Sequence, residues 1–173
     1  MKCRAAILRA SGAKAPYVDS QPLTIEEIEL DPPGPNEVVV KIVGAGLCHS
    51  DLSVINGARP RKLPIVLGHE GSGEIVELGS AVTDLHVGDH AVFQFSPACG
   101  RCRRCLEGRP QNCLVAVTQG AKGELMGGGS RIRDAEGNTL GHHTGISSMA
   151  EYAVMDRGSI IIVDPSLPLA DAA

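Results

Sequence analysis

The chain carries Cys99-Gly-Arg-Cys102-Arg-Arg-Cys105, and Cys113 follows eight residues later. Four of its six cysteines fall in this one window. Thiolates two residues apart on a tight turn converge on one ion, and a fourth from the next turn completes a tetrahedron. A cubane iron–sulfur cluster is the chemical rival, because three cysteines at spacings of two suit it as well. Two disulfides are the third reading. No charged-then-apolar leader follows Met1, so a reducing cytoplasm is the expected setting and disulfides are disfavoured. Structural zinc is the favoured assignment. The resulting lobe, residues 96–115, has no spare ligand position and is expected to hold shape rather than perform chemistry. Four thiolates around one dication leave net negative charge, which Arg101, Arg103, Arg104 and Arg109 are placed to offset.

The rest of the chain is punctuated by 21 glycines and 11 prolines, which favours short strands and turns over long helices. With two Phe, two Tyr and no Trp, the core must be built from aliphatic side chains. Strands are expected at 2–9, 23–30, 37–45, 74–78, 90–95, 150–155 and 159–163. The β-branched run Glu37-Val-Val-Val-Lys-Ile-Val-Gly-Ala45 is the clearest of them. In 23–30 the apolar residues Leu23, Ile25, Ile28 and Leu30 change phase, which predicts a bulge near Glu26-Glu27. A short helix is expected from Ser50 or Asp51 to Gly57. Residues 120–130, with five glycines, read as a mobile loop, and 131–141 as a hairpin around Ala135-Glu-Gly-Asn138. Strand follows strand, so the fold class is mainly β, a barrel or sandwich with short helices. No apolar run reaches the length of a membrane span. A net charge of −4 argues against nucleic acid as a partner.

Outside the lobe, Cys48 and His69 each stand just after an expected buried strand. Either alone is unremarkable, but His69 is followed at once by Glu70, and Cys48 by Asp51. A metal-bound imidazole needs an acceptor on its other nitrogen, a role open to Asp51. A catalytic zinc keeps three protein ligands and one open position. Cys48 and His69 offer two, with Glu70 as an optional carboxylate.

Gly46-Leu-Cys-His-Ser-Asp51, Gly-His-Glu-x-x-Gly-x5-Gly-x2-Val over 68–82, the four-cysteine lobe and His143-Thr-Gly-Ile-Ser-Ser-Met-Ala-Glu-Tyr152 occur in order. Together they resemble the zinc-dependent alcohol dehydrogenases of the medium-chain dehydrogenase/reductase family, over almost the whole chain. The resemblance implies a GroES-like catalytic domain over 1–173, a β-barrel with short helices and a four-cysteine zinc lobe. It implies two zinc ions, one structural (Cys99, Cys102, Cys105, Cys113) and one catalytic (Cys48, His69, with Glu70 behind it). Asp51 is then the partner of the ligand histidine, and Ser50 the hydroxyl that takes the alcohol proton. His49 lies near the pyrophosphate of NAD or NADP, and Phe95 lines the substrate pocket. Ser53 stands where many members carry a histidine at the outer end of the proton relay.

The family's third catalytic ligand, a cysteine, and its nucleotide-binding domain are expected beyond Ala173; no Gly-x-Gly-x-x-Gly occurs in the chain. The resemblance thus predicts a domain that is inactive alone, self-associates, and in the full enzyme oxidises a small alcohol to an aldehyde or ketone. The alternative is a non-catalytic zinc-stabilised β-barrel used for binding or assembly.

Overall fold

A computed structural model describes residues 1–173. The elements run β1 (Lys2–Leu8), α1 (Tyr17–Ser20), β2 (Leu23–Leu30), β3 (Glu37–Ala45), α2 (His49–Ile55), β4 (Ile65–Val66), β5 (Gly71–Leu78), β6 (His90–Phe93), α3 (Arg103–Leu106), α4 (Leu114–Lys122), β7 (Ile132–Arg133), β8 (Thr139–His142), β9 (Tyr152–Asp156) and β10 (Ile160–Ile162). Strands β1-β2-β7-β8-β4 close into a barrel, and β10-β6-β5-β3-β9 form a five-stranded sheet. No helix is long and apolar enough to cross a membrane.

The continuous apolar run of β3 follows from burial on both faces. Val39 packs into a core with Ile7, Ile28, Leu30, Ile132 and Leu140, on the barrel side. Val38 and Val40 point the other way, onto Ile75, Ala91, Ile146 and Met155. Strand β9 is divided in the same manner, with Val154 in the first core and Ala153 and Met155 in the second. Glu37 opens β3 and is buried. Its carboxylate accepts from Arg131 Nε at 2.8 Å and the Gly34 N–H at 2.7 Å, which tethers the hairpin of β7 and β8.

Three expectations are corrected. Strand β2 has no bulge: it pairs with β1 in unbroken register from Lys2↔Glu29 to Leu8↔Leu23. The strand keeps strict period two by leaving Ile25 exposed and turning Glu26 inward, where Arg9 binds its carboxylate at 2.9 and 2.6 Å. That pairing holds Glu26 ionised, its pKa lowered to about 2. The irregularities lie instead in the β3–β5 ladder, between Val39 and Val40 and between Ile42 and Gly44. The second correction concerns residues 114–122, which form α4. Cys113 is its N-cap residue, and Gly123, at φ 72°, ends it in the left-handed conformation. Only the remainder of the expected loop, up to Ser130, lacks regular structure. The hairpin of residues 131–141 is present as β7 and β8.

Helix α2 begins at His49, with Cys48 rather than Ser50 or Asp51 at its N-cap. It is fastened to the barrel by Val54, which packs with Leu8, Ile65 and Leu67 from β1 and the β4 region. Burying one such side chain is worth about 1.5–3 kcal/mol. This contact sets the start of α2 beside the segment that follows β4, where His69 lies.

Candidate metal centres and active-site cleft

In the lobe, the thiols of Cys99, Cys102, Cys105 and Cys113 lie within 4.8 Å of one another, and none is in a disulfide. The backbone turns toward sulfur: Cys99 N–H donates to Cys113 Sγ, and Cys102 N–H to Cys99 Sγ, each at 3.3 Å. Such N–H···S bonds favour the thiolate, the form that ligates metal. Contacts of this kind from the Cys105 and Leu114 N–H groups bring Cys102 down to about 6. Four converging sulfurs on α3 and the turns beside it form a set able to bind one zinc ion. Of the four nearby arginines, Arg103 and Arg104 pair with Glu107, at 2.7 and 3.3 Å, instead of facing the sulfurs alone.

The second group is Cys48, His69 and Glu70, again with one donor atom each within 4.8 Å of the others. Two glycines make this approach possible. A Cβ on Gly46 would fall 2.5 Å from Glu70 Oε2, and Gly68, at φ 91°, would place one 2.7 Å from the Met149 nitrogen.

Asp51 joins the two chain segments. Its carboxylate accepts from Gly68 N–H at 3.0 Å and from Cys48 N–H at 3.3 Å. It also lies 3.4 Å from His69 Nδ1 and 2.9 Å from His143 Nδ1, although neither ring N–H meets full hydrogen-bond geometry. Burial by itself raises the Asp51 pKa. The contacts with His143 and Gly68, and the charges of His143 and His69, outweigh burial and leave it lowered. The carboxylate therefore stays charged beside both imidazoles.

Ser50 Oγ is 3.1 Å from His69 Nε2, on the side of the ring away from Asp51. Phe95 is exposed and stands edge-on to His69, ring centres 5.7 Å apart. His49 points outward along α2, its Nδ1 3.4 Å from Ser53 Oγ. The structure thus gathers Cys48, Ser50, Asp51, His69, Glu70 and Phe95 at one place, with His49 on the outer face of the same helix.

Sequence reasoning missed His143. It is completely buried, stacks edge-on against His69 at 5.1 Å, and shares Asp51 with it. The available signal was a pair of adjacent histidines closing an otherwise apolar strand. Beside Phe95 a cleft of about 310 Å³ opens, walled by Val117 and Gln119 of α4, by Thr144 next to His143, and by Arg59 and Arg61.

Comparison with known proteins agrees with this arrangement. Residues 34–165 match the family described as the alcohol dehydrogenase GroES-like domain. S-(hydroxymethyl)glutathione dehydrogenase of Saccharomyces cerevisiae is 37% identical over 175 aligned residues, taking in 100% of this chain and 43% of that protein. The alcohol dehydrogenase zinc-binding domain protein from Burkholderia ambifaria superposes with a TM-score of 0.86 at 36% identity, covering 98% of this chain and 44% of that one. Benzyl alcohol dehydrogenase from Acinetobacter calcoaceticus gives 0.79 at 33% identity, covering 98% and 43%. The chain therefore spans less than half the length of these relatives. By its barrel, its cysteine lobe and the span of the match, the chain belongs to the alcohol dehydrogenase GroES-like domain family.

Proposed function

We propose that residues 1–173 are the catalytic domain of a zinc-dependent alcohol dehydrogenase that oxidises a small alcohol to an aldehyde or ketone with NAD or NADP. The observation that carries this reading is the convergence of Cys48, His69 and Glu70 on one point, with Asp51 behind His69. A thiolate, an imidazole and a carboxylate suit zinc, and a ligand set of this kind leaves room for a substrate oxygen. Zinc bound there supplies Lewis acidity, which lowers the pKa of an alcohol hydroxyl toward neutrality.

The protein's own groups do the rest. Asp51 lies behind the His69 ring, 3.4 Å from Nδ1, and Nε2 faces Ser50. Ser50 Oγ, 3.1 Å from that nitrogen, is placed to accept the proton the alcohol loses. His49 and Ser53, on the exposed face of α2, stand where a proton can pass to solvent and where a cofactor phosphate can be met. Phe95 supplies an apolar wall.

The four-cysteine centre is assigned a structural zinc, held in the lobe of residues 96–115. We place the enzyme in the cytoplasm, because thiolate centres of both kinds need a reducing compartment. We expect self-association at the edge strand β10, where Ile161 and Ile162 are exposed.

The test is metal stoichiometry and cobalt(II) spectroscopy on the purified chain. One metal should be held tightly by the lobe. A second should be removable by a moderate chelator and show thiolate-to-cobalt charge transfer that disappears in Cys48→Ser. A Cys48→Ser variant with unchanged stoichiometry and spectrum would refute the site.

A further inference from the structure

The Asp51 carboxylate is buried and has two groups set against each of its oxygens. Oδ1 accepts from the Gly68 N–H at 3.0 Å and lies 2.9 Å from His143 Nδ1. Oδ2 accepts from the Cys48 N–H at 3.3 Å and lies 3.4 Å from His69 Nδ1. One backbone N–H and one imidazole nitrogen per oxygen use the roughly four acceptor sites of an ionised carboxylate. Such a carboxylate only accepts, so the His143 nitrogen that faces it carries the proton. The angle falls short of a full hydrogen bond, and the contact works through the charge of Asp51 at short range.

His143 is held there by its own chain. Its N–H donates to Ser147 Oγ at 3.1 Å, and Ser147 Oγ donates to the Val66 carbonyl at 3.0 Å. Ser148 Oγ donates to the Glu70 carbonyl at 2.7 Å. The turn after His143 is therefore stitched to the chain on both sides of His69. It passes through the left-handed region at Thr144, φ 54°, and at Ser147, φ 59°, where a side chain is disfavoured. Backbone of this kind persists where its surroundings over-determine it, and such places cluster at functional sites. We propose that His143 is a positioning residue for the candidate metal centre: it holds the Asp51 carboxylate in the rotation that leaves Oδ2 to His69. The His143 ring is completely buried, edge-on to His69 with centres 5.1 Å apart, and so acts only through Asp51 and His69.

The inference rests on the metal reading of Cys48, His69 and Glu70. Two substitutions in the 173-residue chain separate a positioning role from simple filling of the core. His143→Asn loses volume but keeps an N–H donor bonded to Cγ, as Nδ1 is. His143→Phe keeps the bulk of the ring and loses the donor. Cobalt(II) affinity at Cys48 is followed by thiolate-to-cobalt charge transfer, on protein shown to be folded by circular dichroism. It should fall about tenfold in His143→Phe, the low end for removing support from a metal-ligating histidine. His143→Asn should stay near the wild type. A His143→Phe variant that binds cobalt as the wild type does, or a His143→Asn variant that binds no better than His143→Phe, would overturn the inference.

A measurement on the wild type covers the case in which a variant does not fold. Heteronuclear NMR of the imidazole nitrogens in zinc-loaded protein should find His143 protonated at Nδ1, and a bare Nδ1 would overturn the inference. Failure of the metal reading has a separate signature. A wild-type chain without any thiolate-to-cobalt band removes the site itself, whereas a normal band indifferent to His143→Phe removes only the positioning role.

Discussion

Replacing Asp51 with Asn probes the junction on which the candidate site depends. In the folded protein the carboxylate accepts from the buried N–H of Gly68 at 3.0 Å and the part-buried N–H of Cys48 at 3.3 Å, and lies against two imidazole Nδ1 atoms. An asparagine has one acceptor oxygen and a donor NH₂. Whichever way it turns, an N–H faces another N–H, and the charge is gone. Losing one hydrogen bond to a charged group and leaving a buried donor unpaired costs about 2–4 kcal/mol together. That is a large share of the stability of an ordinary domain, about 5–15 kcal/mol.

Urea unfolding followed by far-ultraviolet circular dichroism, with the lobe zinc-loaded, measures it directly. The pH dependence gives a second readout. The Asp51 pKa is lowered in the folded state. Its contribution is therefore complete above the unfolded aspartate value, about 3.9, and is lost as pH falls through the lower folded value. The stability gap between the wild type and Asp51→Asn should be constant at neutral pH and close in the acid range. Because the carboxylate orients His69, metal affinity at the Cys48 site should fall about 10–100-fold in the same variant. A gap below about 0.5 kcal/mol, typical of surface substitutions, or a gap that widens on acidification, would refute the reasoning.

Removing the lobe metal with a chelator, or changing Cys102 to Ser, should strip hydrogen-exchange protection from residues 96–122. The β1-β2-β3 amides should keep theirs, because no strand of either sheet contributes a ligand. Gly68→Ala should destabilise by about 2 kcal/mol or more, since φ 91° and the Met149 nitrogen 2.7 Å from the new Cβ act together. A differential scanning experiment that finds the melting temperature unchanged would show that the segment relaxes freely.

Much of the fold was legible because its signals are local. The cysteine spacing marks the lobe by itself, and the β-branched run of β3 marks a strand with two buried faces. The grouping of Cys48, His69 and Glu70 beside Asp51 was legible because these residues fall in two short stretches, 46–51 and 68–70. The regular course of β2 was not, since Glu26 turns inward only because Arg9, 17 residues away in sequence, binds it. Helix α4 was obscured by the glycines around it; its start depends on Cys113 being held in the lobe and its end on Gly123. His143 was passed over because two adjacent histidines carry no ligand-spacing signal. Its role arises from Asp51, which the topology delivers from 92 residues earlier.

Cys113 belongs to two objects at once: it is the fourth sulfur of the lobe and the residue from which α4 departs. The far side of that helix is a wall of the cleft. A metal held in the lobe would thus set the width of a cleft that it does not line. Two relatives could keep every group near Cys48 and His69 and still differ in what they accept, through the length and pitch of the turns between Cys105 and Cys113. Efforts to redirect selectivity have a handle there, at a distance from the reacting atoms, that leaves the chemistry untouched.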